Sequence, residues 1–322
     1  MKLDADLLDR ARGALVGQAV GDALGQSYEF GRPLAPSAEV VMKAGPMFGL
    51  GEWTDDTDQA VAIGRAGLAH GFSSDRALQS AATQFFEWQK SAKDIGIQTS
   101  SVFARIMANE GDPEELFREM MQATRDYASA HERHHGNGSL MRTSPIALGF
   151  LDGRAGLLEA AKSFSELTHS ADECWQACYI WSEAIRGAVL NGNYDGLWHG
   201  IDQLDPVSRE LWRERMKAAE KTDPFEFNPN GYVISSIQLA WAAITQTAYE
   251  GRYQFKAAVE LCVRVGDDTD TTAAICGSLV GARWGDSNIP AEWSSIVHGW
   301  PDYKVDDLRT LATNLALSSF GN

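Results

Sequence analysis

Residues 7–25 read LLDRARGALVGQAVGDALG, and the spacing of their apolar side chains sets the fold class. Leu7, Ala11, Ala14, Leu15, Ala19 and Ala23 recur at intervals of three and four, which gathers them on one face of a helix. The same periodicity predicts helices over 57–70, 74–90, 113–130, 155–168, 171–190, 207–219, 233–249, 254–264 and 271–284. Strand-like alternation bounded by turns is weak throughout. An all-α architecture follows. Only 39–50, with Gly45-Pro46, and 225–232, with Asn228-Pro229-Asn230-Gly231, read as long loops.

The quoted stretch also carries Gly13, Gly17, Gly21 and Gly25 at four-residue intervals, and Gly277, Gly281 and Gly285 repeat the pattern near the other end. Glycine inside a helix costs up to about 1 kcal/mol relative to alanine, so a row of them on one face requires that something approach closely. Arg10, Arg12, Gln18 and Asp22 in the same stretch exclude a membrane-embedded G-x-x-x-G pair. Tight helix packing is the expected reason, and room for a ligand is the alternative.

The chain of 322 residues holds 28 Lys and Arg against 44 Asp and Glu, a formal charge of −16. That balance argues against nucleic acid or an anionic membrane surface as the main partner, because both are held chiefly by Lys and Arg. With 44% hydrophobic and 22% charged residues, the composition is globular and excludes disorder. The opening MKLDADLLDR has three Asp and no apolar run of signal-peptide length, so a cytoplasmic location is expected. No window of about 18 uninterrupted apolar residues exists to span a bilayer. Cys174, Cys178, Cys262 and Cys276 show no C-x-x-C spacing and read as buried thiols.

Two acidic stretches carry the chemistry. Trp53-Thr54-Asp55-Asp56-Thr57-Asp58 and Gly266-Asp267-Asp268-Thr269-Asp270-Thr271-Thr272 each stand just before a helical run. For either alone, capping is as good an explanation as ligation, since Asp and Thr are favoured N-caps and first-turn carboxylates complement the helix dipole. Three carboxylates within four residues nevertheless exceed what capping can use, and their repulsion demands a compensating cation. Two such stretches imply one shared site, and hence a single compact multi-helix domain over 1–322 that brings its ends together. Carboxylates and hydroxyls are hard donors suited to Mg²⁺, Mn²⁺ or Ca²⁺, and six of them suffice for two ions.

Three other readings of these motifs meet obstacles. An EF-hand beginning at Asp268 needs Gly at its sixth position and Glu at its twelfth, where Ala273 and Leu279 stand. The D-x-D-x-T string at Asp268–Thr272 belongs after a buried strand early in an α/β domain, a context missing here. The all-α isoprenoid synthases hold Mg²⁺ with Asp-rich helices that Asp55-Asp56-Thr57-Asp58 approximates, but Gln59 occupies the position of a further Asp.

Taken in order, GALVGQAVGDALGQSYEF, EWTDDTDQA, DIGIQTS, GNGSLMRTSPIAL, THSAD, GYVISSIQLAWAAI and GDDTDTTAAICGSLVGA span nearly the whole chain. This series resembles the ADP-ribosylglycohydrolases, which include the dinitrogenase-reductase-activating glycohydrolases and the ADP-ribosylarginine hydrolases. Each motif alone is weak, whereas their joint order is specific. The resemblance implies an all-α fold and a dinuclear Mg²⁺ or Mn²⁺ centre held by Thr54, Asp55, Asp56, Asp268, Asp270 and Thr271. Glu29, Asp55 and Asp268 would carry the catalysis, with Glu29 approaching the metals and the reacting ribose.

The same resemblance implies that Asp94 faces the modified side chain. His135, Gly136, Asn137, Gly138 and Ser139 resemble a loop that contacts the diphosphate and distal ribose. His169 resembles a histidine near the ADP-ribose, and Tyr232 a residue lining the nucleotide end. One departure stands out: where many members have a second Gly before the Asp-x-Asp pair, this chain has Asp267. Its carboxylate could tune metal affinity or cap the helix.

The expected activity is metal-dependent hydrolysis of the bond between ADP-ribose and an acceptor, with arginine of an ADP-ribosylated protein the leading choice. A monomer binding ADP-ribose, with no nucleic-acid or membrane partner, is expected. A binding-only member of the family is the competing class, and an isoprenoid synthase is a further one. The intact acidic set argues against loss of chemistry.

Overall fold

A computed structural model describes residues 4–107 and 112–321. Its regular secondary structure is almost wholly helical. Among the described residues the helices are α1 (Ala5–Gly25), α2 (Asp55–His70), α3 (Asp75–Trp88), α4 (Ile97–Phe103), α5 (Pro113–Ala130) and α6 (Ser144–Leu148). Then follow α7 (Leu157–Glu166), α8 (Asp172–Asn191), α9 (Gly196–Asp202), α10 (Pro206–Ala219), α11 (Val233–Gln246) and α12 (Gln254–Val265). The chain ends with α13 (Thr269–Trp284), α14 (Ala291–Ser294) and α15 (Val305–Ser319). The one sheet among these residues pairs β1 (His298–Gly299) with β2 (Tyr303–Lys304) antiparallel. None of the described helices is long and apolar enough to cross a membrane.

Helices α1 and α13 form the axis. Both are buried on nearly every side over most of their length, which is why neither shows the one-sided pattern of a surface helix. They run antiparallel and touch backbone to backbone. A Cβ placed on Gly13, Gly17 or Gly21 would drive into the carbonyl oxygen of Gly281, Gly277 or Ala273 respectively, and one on Gly25 would lie 2.5 Å from the backbone of Asp270. The glycine rows are therefore a packing device, as expected. The outer helices are amphipathic: in α5, Leu116, Met120, Ala123, Thr124 and Tyr127 form the buried stripe.

The predicted helices are all present, with ends shifted by a few residues. Helix α11 stops at Gln246 instead of 249, and a 3-10 segment, Ala248–Tyr253, follows it. Short helices α4, α6, α9 and α14 have too few turns to show a period. Helix α15 is not among the predicted helices, although Val305, Leu308, Leu311, Ala312, Leu315 and Ala316 form its buried face. Residues 39–50 are irregular as expected, whereas the 3-10 turn Pro224–Phe227 overlaps the start of 225–232. All four cysteines are buried free thiols.

Gly17→Ala is expected to lower unfolding free energy by about 2 kcal/mol or more in urea titrations, because overpacking against the Gly277 carbonyl outweighs the gain of about 1 kcal/mol in helix propensity. Gly153→Ala, where an added Cβ meets nothing within 4 Å, should stay within about 0.5 kcal/mol of the parent.

Candidate active site

The antiparallel α1–α13 contact sets the C-terminus of one helix beside the N-terminus of the other, and α2 docks onto that junction. Thr54, the N-cap of α2, makes no side-chain cap bond. Asp22 of α1 takes over that role across the structure: its Oδ1 accepts from Thr54 N–H at 2.9 Å, and its Oδ2 accepts from Thr57 N–H at 3.0 Å and Thr57 Oγ1 at 2.6 Å. Gln18, one turn earlier, donates to the Asp56 carbonyl at 3.1 Å. Two polar side chains of a glycine-rich helix thus anchor the first acidic stretch.

The second stretch arrives from α13, and the two converge. Carboxylate oxygens of Asp22, Asp56 and Asp270 lie within 4.8 Å of one another, as do those of Glu29, Asp268 and Asp270. Asp270 belongs to both groups. Thr271 Oγ1 donates to Asp56 Oδ2 across the junction at 3.4 Å, and Thr54 Oγ1 donates to the same oxygen at 3.3 Å. Asp55 is oriented from behind: the buried Arg142 guanidinium donates to Gln59 Oε1, and Gln59 Nε2 donates to Asp55 Oδ2 at 3.2 Å. Gln59 therefore fills, with an amide, the position where an isoprenoid synthase would carry a carboxylate.

Burial is the leading cause of the shifts at these acids. It pushes Glu29 up to about 8, helped by the charges of Asp268 and Asp94, and raises Asp55, Asp56 and Asp270 well above the ordinary carboxylate range. Asp22 rises to about 6, because hydrogen bonds from Thr57 and Thr54 offset part of the desolvation. Asp268 is raised as well, against the pull of its bond from Asn137. Asp56 Oδ1 is buried without any hydrogen-bond partner. An orphaned buried oxygen inside an all-carboxylate and hydroxyl set is what a hard divalent cation would satisfy, so the residues fit Mg²⁺ or Mn²⁺.

Glu29, Asp55, Asp268 and Asp270 line a cavity of about 720 Å³, within the range of small-molecule sites. Of the residues singled out from the sequence, Glu29, Asp55, Asp94, His135, Gly136, Asn137, Gly138, His169, Tyr232, Asp268, Asp270 and Thr271 line it. Thr54 and Asp56 lie buried beneath. Ser139 departs from expectation: it is buried behind the loop, its Oγ taking bonds from Ser165 and Cys178, and it does not line the cavity. Gly136 and Gly138 lie flat against the His169 ring, where a Cβ would come within 3.3 and 2.9 Å. Burial, with Arg142 nearby, lowers His169 to about 3, so the ring is neutral. Asn137 Nδ2 donates to Asp268 Oδ2 at 2.7 Å, which links the loop to the acids.

Asp22, Gln18, Gln59 and Arg142 are not among the site residues expected from the sequence. For Asp22 and Gln18 the available signal was a polar residue among glycines on a helix otherwise buried all round. Arg142, inside RTSPIAL, looks like an ordinary surface cation in sequence, yet it is buried and also bonds Phe164 O at 3.1 Å and Thr168 Oγ1 at 2.8 Å.

A family model described as ADP-ribosylglycohydrolase matches residues 3–321. Among curated relatives, the ADP-ribosylarginine hydrolase Tri1 of Pseudomonas putida (strain GB-1) is 28% identical over 298 residues, covering 89% of this chain and 73% of that protein. The ADP-ribosyl-dinitrogen-reductase glycohydrolase of Rhodospirillum rubrum is 28% identical over 301 residues, covering 89% and 90%. A solved chain described as an ADP-ribosylglycohydrolase-related protein complex superposes with a TM-score of 0.75 at 29% identity, covering 98% of this chain and 99% of that one.

Because Glu29 and Asp22 bind protons more tightly folded than unfolded, their contribution to stability is complete below about pH 4 and is lost as pH rises through about 6 and then 8. The metal-free protein should therefore melt at a lower temperature at pH 8 than at pH 5. Millimolar Mn²⁺ should raise the midpoint more at pH 8, where ligands have already released their protons, in thermal-shift scans with and without chelator.

Proposed function

The chain belongs to the ADP-ribosylglycohydrolase family, whose members hydrolyse glycosidic bonds of ADP-ribose, and on that premise we propose that it releases ADP-ribose from ADP-ribosylated arginine on proteins. The supporting observation is the convergence of the two acidic stretches, with Asp270 common to both carboxylate groups, on the floor of a cavity that can admit an ADP-ribosyl group. The names of the two relatives, one directed at arginine and one at dinitrogen reductase, favour a protein-bound arginine acceptor.

Thr54, Asp55, Asp56, Asp268, Asp270 and Thr271 would hold two divalent cations, with Asp22 beside Asp56 and Asp270 and Glu29 beside Asp268 and Asp270. Bound there, two Mg²⁺ or Mn²⁺ ions would supply positive charge against ribose hydroxyls and lower the pKa of the attacking water. The reaction adds water oxygen to the anomeric carbon, breaks that carbon's bond to the guanidine nitrogen, and returns a proton to the departing guanidine. Glu29, half-buried in the lining of the cavity beside Asp268 and Asp270, is placed to pass that proton. Asp94, which lines the cavity and whose charge is felt by Asp55 and Glu29, would pair with the acceptor guanidinium.

The Gly136-Asn137-Gly138 loop offers small residues through which backbone N–H groups can approach the diphosphate. His169, neutral, would serve as its rigid backing, and Tyr232, 43% exposed and edge-on to His135 at 5.9 Å, would line the nucleotide end. A net charge of −16 does not oppose an anionic substrate here, because local amides and cations set the potential at the site.

Asp55→Asn and Asp268→Asn should each lower metal-dependent release of ADP-ribose from an ADP-ribosyl-arginine protein at least about a hundredfold, while far-ultraviolet circular dichroism is unchanged. Full activity in excess chelator would refute the metal-dependent reading. Asp94→Asn should reduce kcat/KM on the arginine substrate about tenfold and leave Mn²⁺ affinity intact, measured by steady-state kinetics and calorimetry.

A further inference from the structure

Residue 267 stands where the backbone favours glycine. Its φ is 63°, in the left-handed region that strains a side chain, and the peptide is held there from both sides. Phe30 N–H donates to the Asp267 carbonyl at 2.7 Å, and Asp267 N–H donates to the Gly31 carbonyl at 3.0 Å. The Asp267 carboxylate makes its hydrogen bond away from α13. It reaches instead to the loop before α11, where Asp267 Oδ2 accepts from Asn230 N–H at 2.9 Å.

Asn230 is fully buried and answers in the other direction. Its Nδ2 donates to the Gly266 carbonyl at 3.0 Å, and its Oδ1 accepts from Asp268 N–H at 2.8 Å. One asparagine thus bonds three consecutive residues, 266 to 268, the last of which carries a carboxylate of the second acidic group. We propose that Asp267 and Asn230 form a reciprocal clasp that fixes the Asp268 backbone, so that its carboxylate faces Asp270 and Glu29. Asp267 is then a positioning residue for the acidic centre, neither a ligand nor a helix cap. The consequence for metal binding rests on the function proposed above.

Two variants separate bond from charge. Asp267→Gly keeps the backbone shape and loses the acceptor, whereas Asp267→Asn keeps an acceptor oxygen and loses the charge. In the chelated protein, amide exchange at Asp268, followed by NMR, should accelerate tenfold or more in D267G and stay within threefold of the parent in D267N. The Mn²⁺ dissociation constant, from calorimetry, should weaken at least fivefold in D267G and stay within twofold in D267N. The thermal midpoint should not fall in parallel, which a merely structural role would require. Parental exchange or parental Mn²⁺ affinity in D267G overturns the proposal, and so does equal loss in D267N, which would assign the effect to charge. If the parent protein bound no Mn²⁺ and cleaved no ADP-ribosyl substrate, the hydrolase reading would fail, and Asp268 exchange alone would decide the clasp.

Discussion

The close approach of α1 and α13 is the constraint on which the rest of the molecule depends. With the α1 glycines facing the α13 backbone, the two helices come nearer than a side chain on α1 would allow, and the antiparallel arrangement brings residues 22–29 to residues 268–271. Every acidic group in the cavity floor is positioned relative to that junction. A few tenths of an ångström gained by a methyl group would separate Asp22 and Asp56 from Asp270, because the helices are rigid and the core close-packed. Glycine's cost in helix propensity is thereby balanced by geometry at the site.

Electrostatics gives the site its second character. Six carboxylates share a volume where desolvation raises each of them. The nearest buried guanidinium, Arg142, acts through Gln59 and leaves the pocket free of its own positive charge. Such an arrangement is costly without a cation and suited to one. The hydrogen bonds that could have satisfied these oxygens come instead from backbone amides and hydroxyls that orient them, as Asp22 shows by capping α2 from another helix.

Much of this was legible in the residues. Helical periodicity is a local property, and it identified the long helices except α15; it failed for α4, α6, α9 and α14, which are too short to display a period. The acidic stretches announced their chemistry because three carboxylates in four residues exceed any capping need. Ser139 was misleading for a local reason: it follows Gly138 in the motif, yet the 3-10 turn Leu140–Arg142 begins immediately afterwards and its side chain turns inward to Ser165. Asp267 was visible as a departure from the glycine expected there, although its partner Asn230 lay in what read only as a loop.

By itself, the order of amino acids determined the all-helical class, the two hard-donor stretches and the glycine rows, since each is written in spacing along a few turns. Only the tertiary structure decided which residues meet: that Asp22 belongs with Asp56 and Asp270, that Arg142 reaches Asp55 through Gln59, and that Asn230 grips 266–268. Those contacts join positions tens to hundreds of residues apart, so their partners are selected by packing of whole helices and leave no periodic trace in the chain.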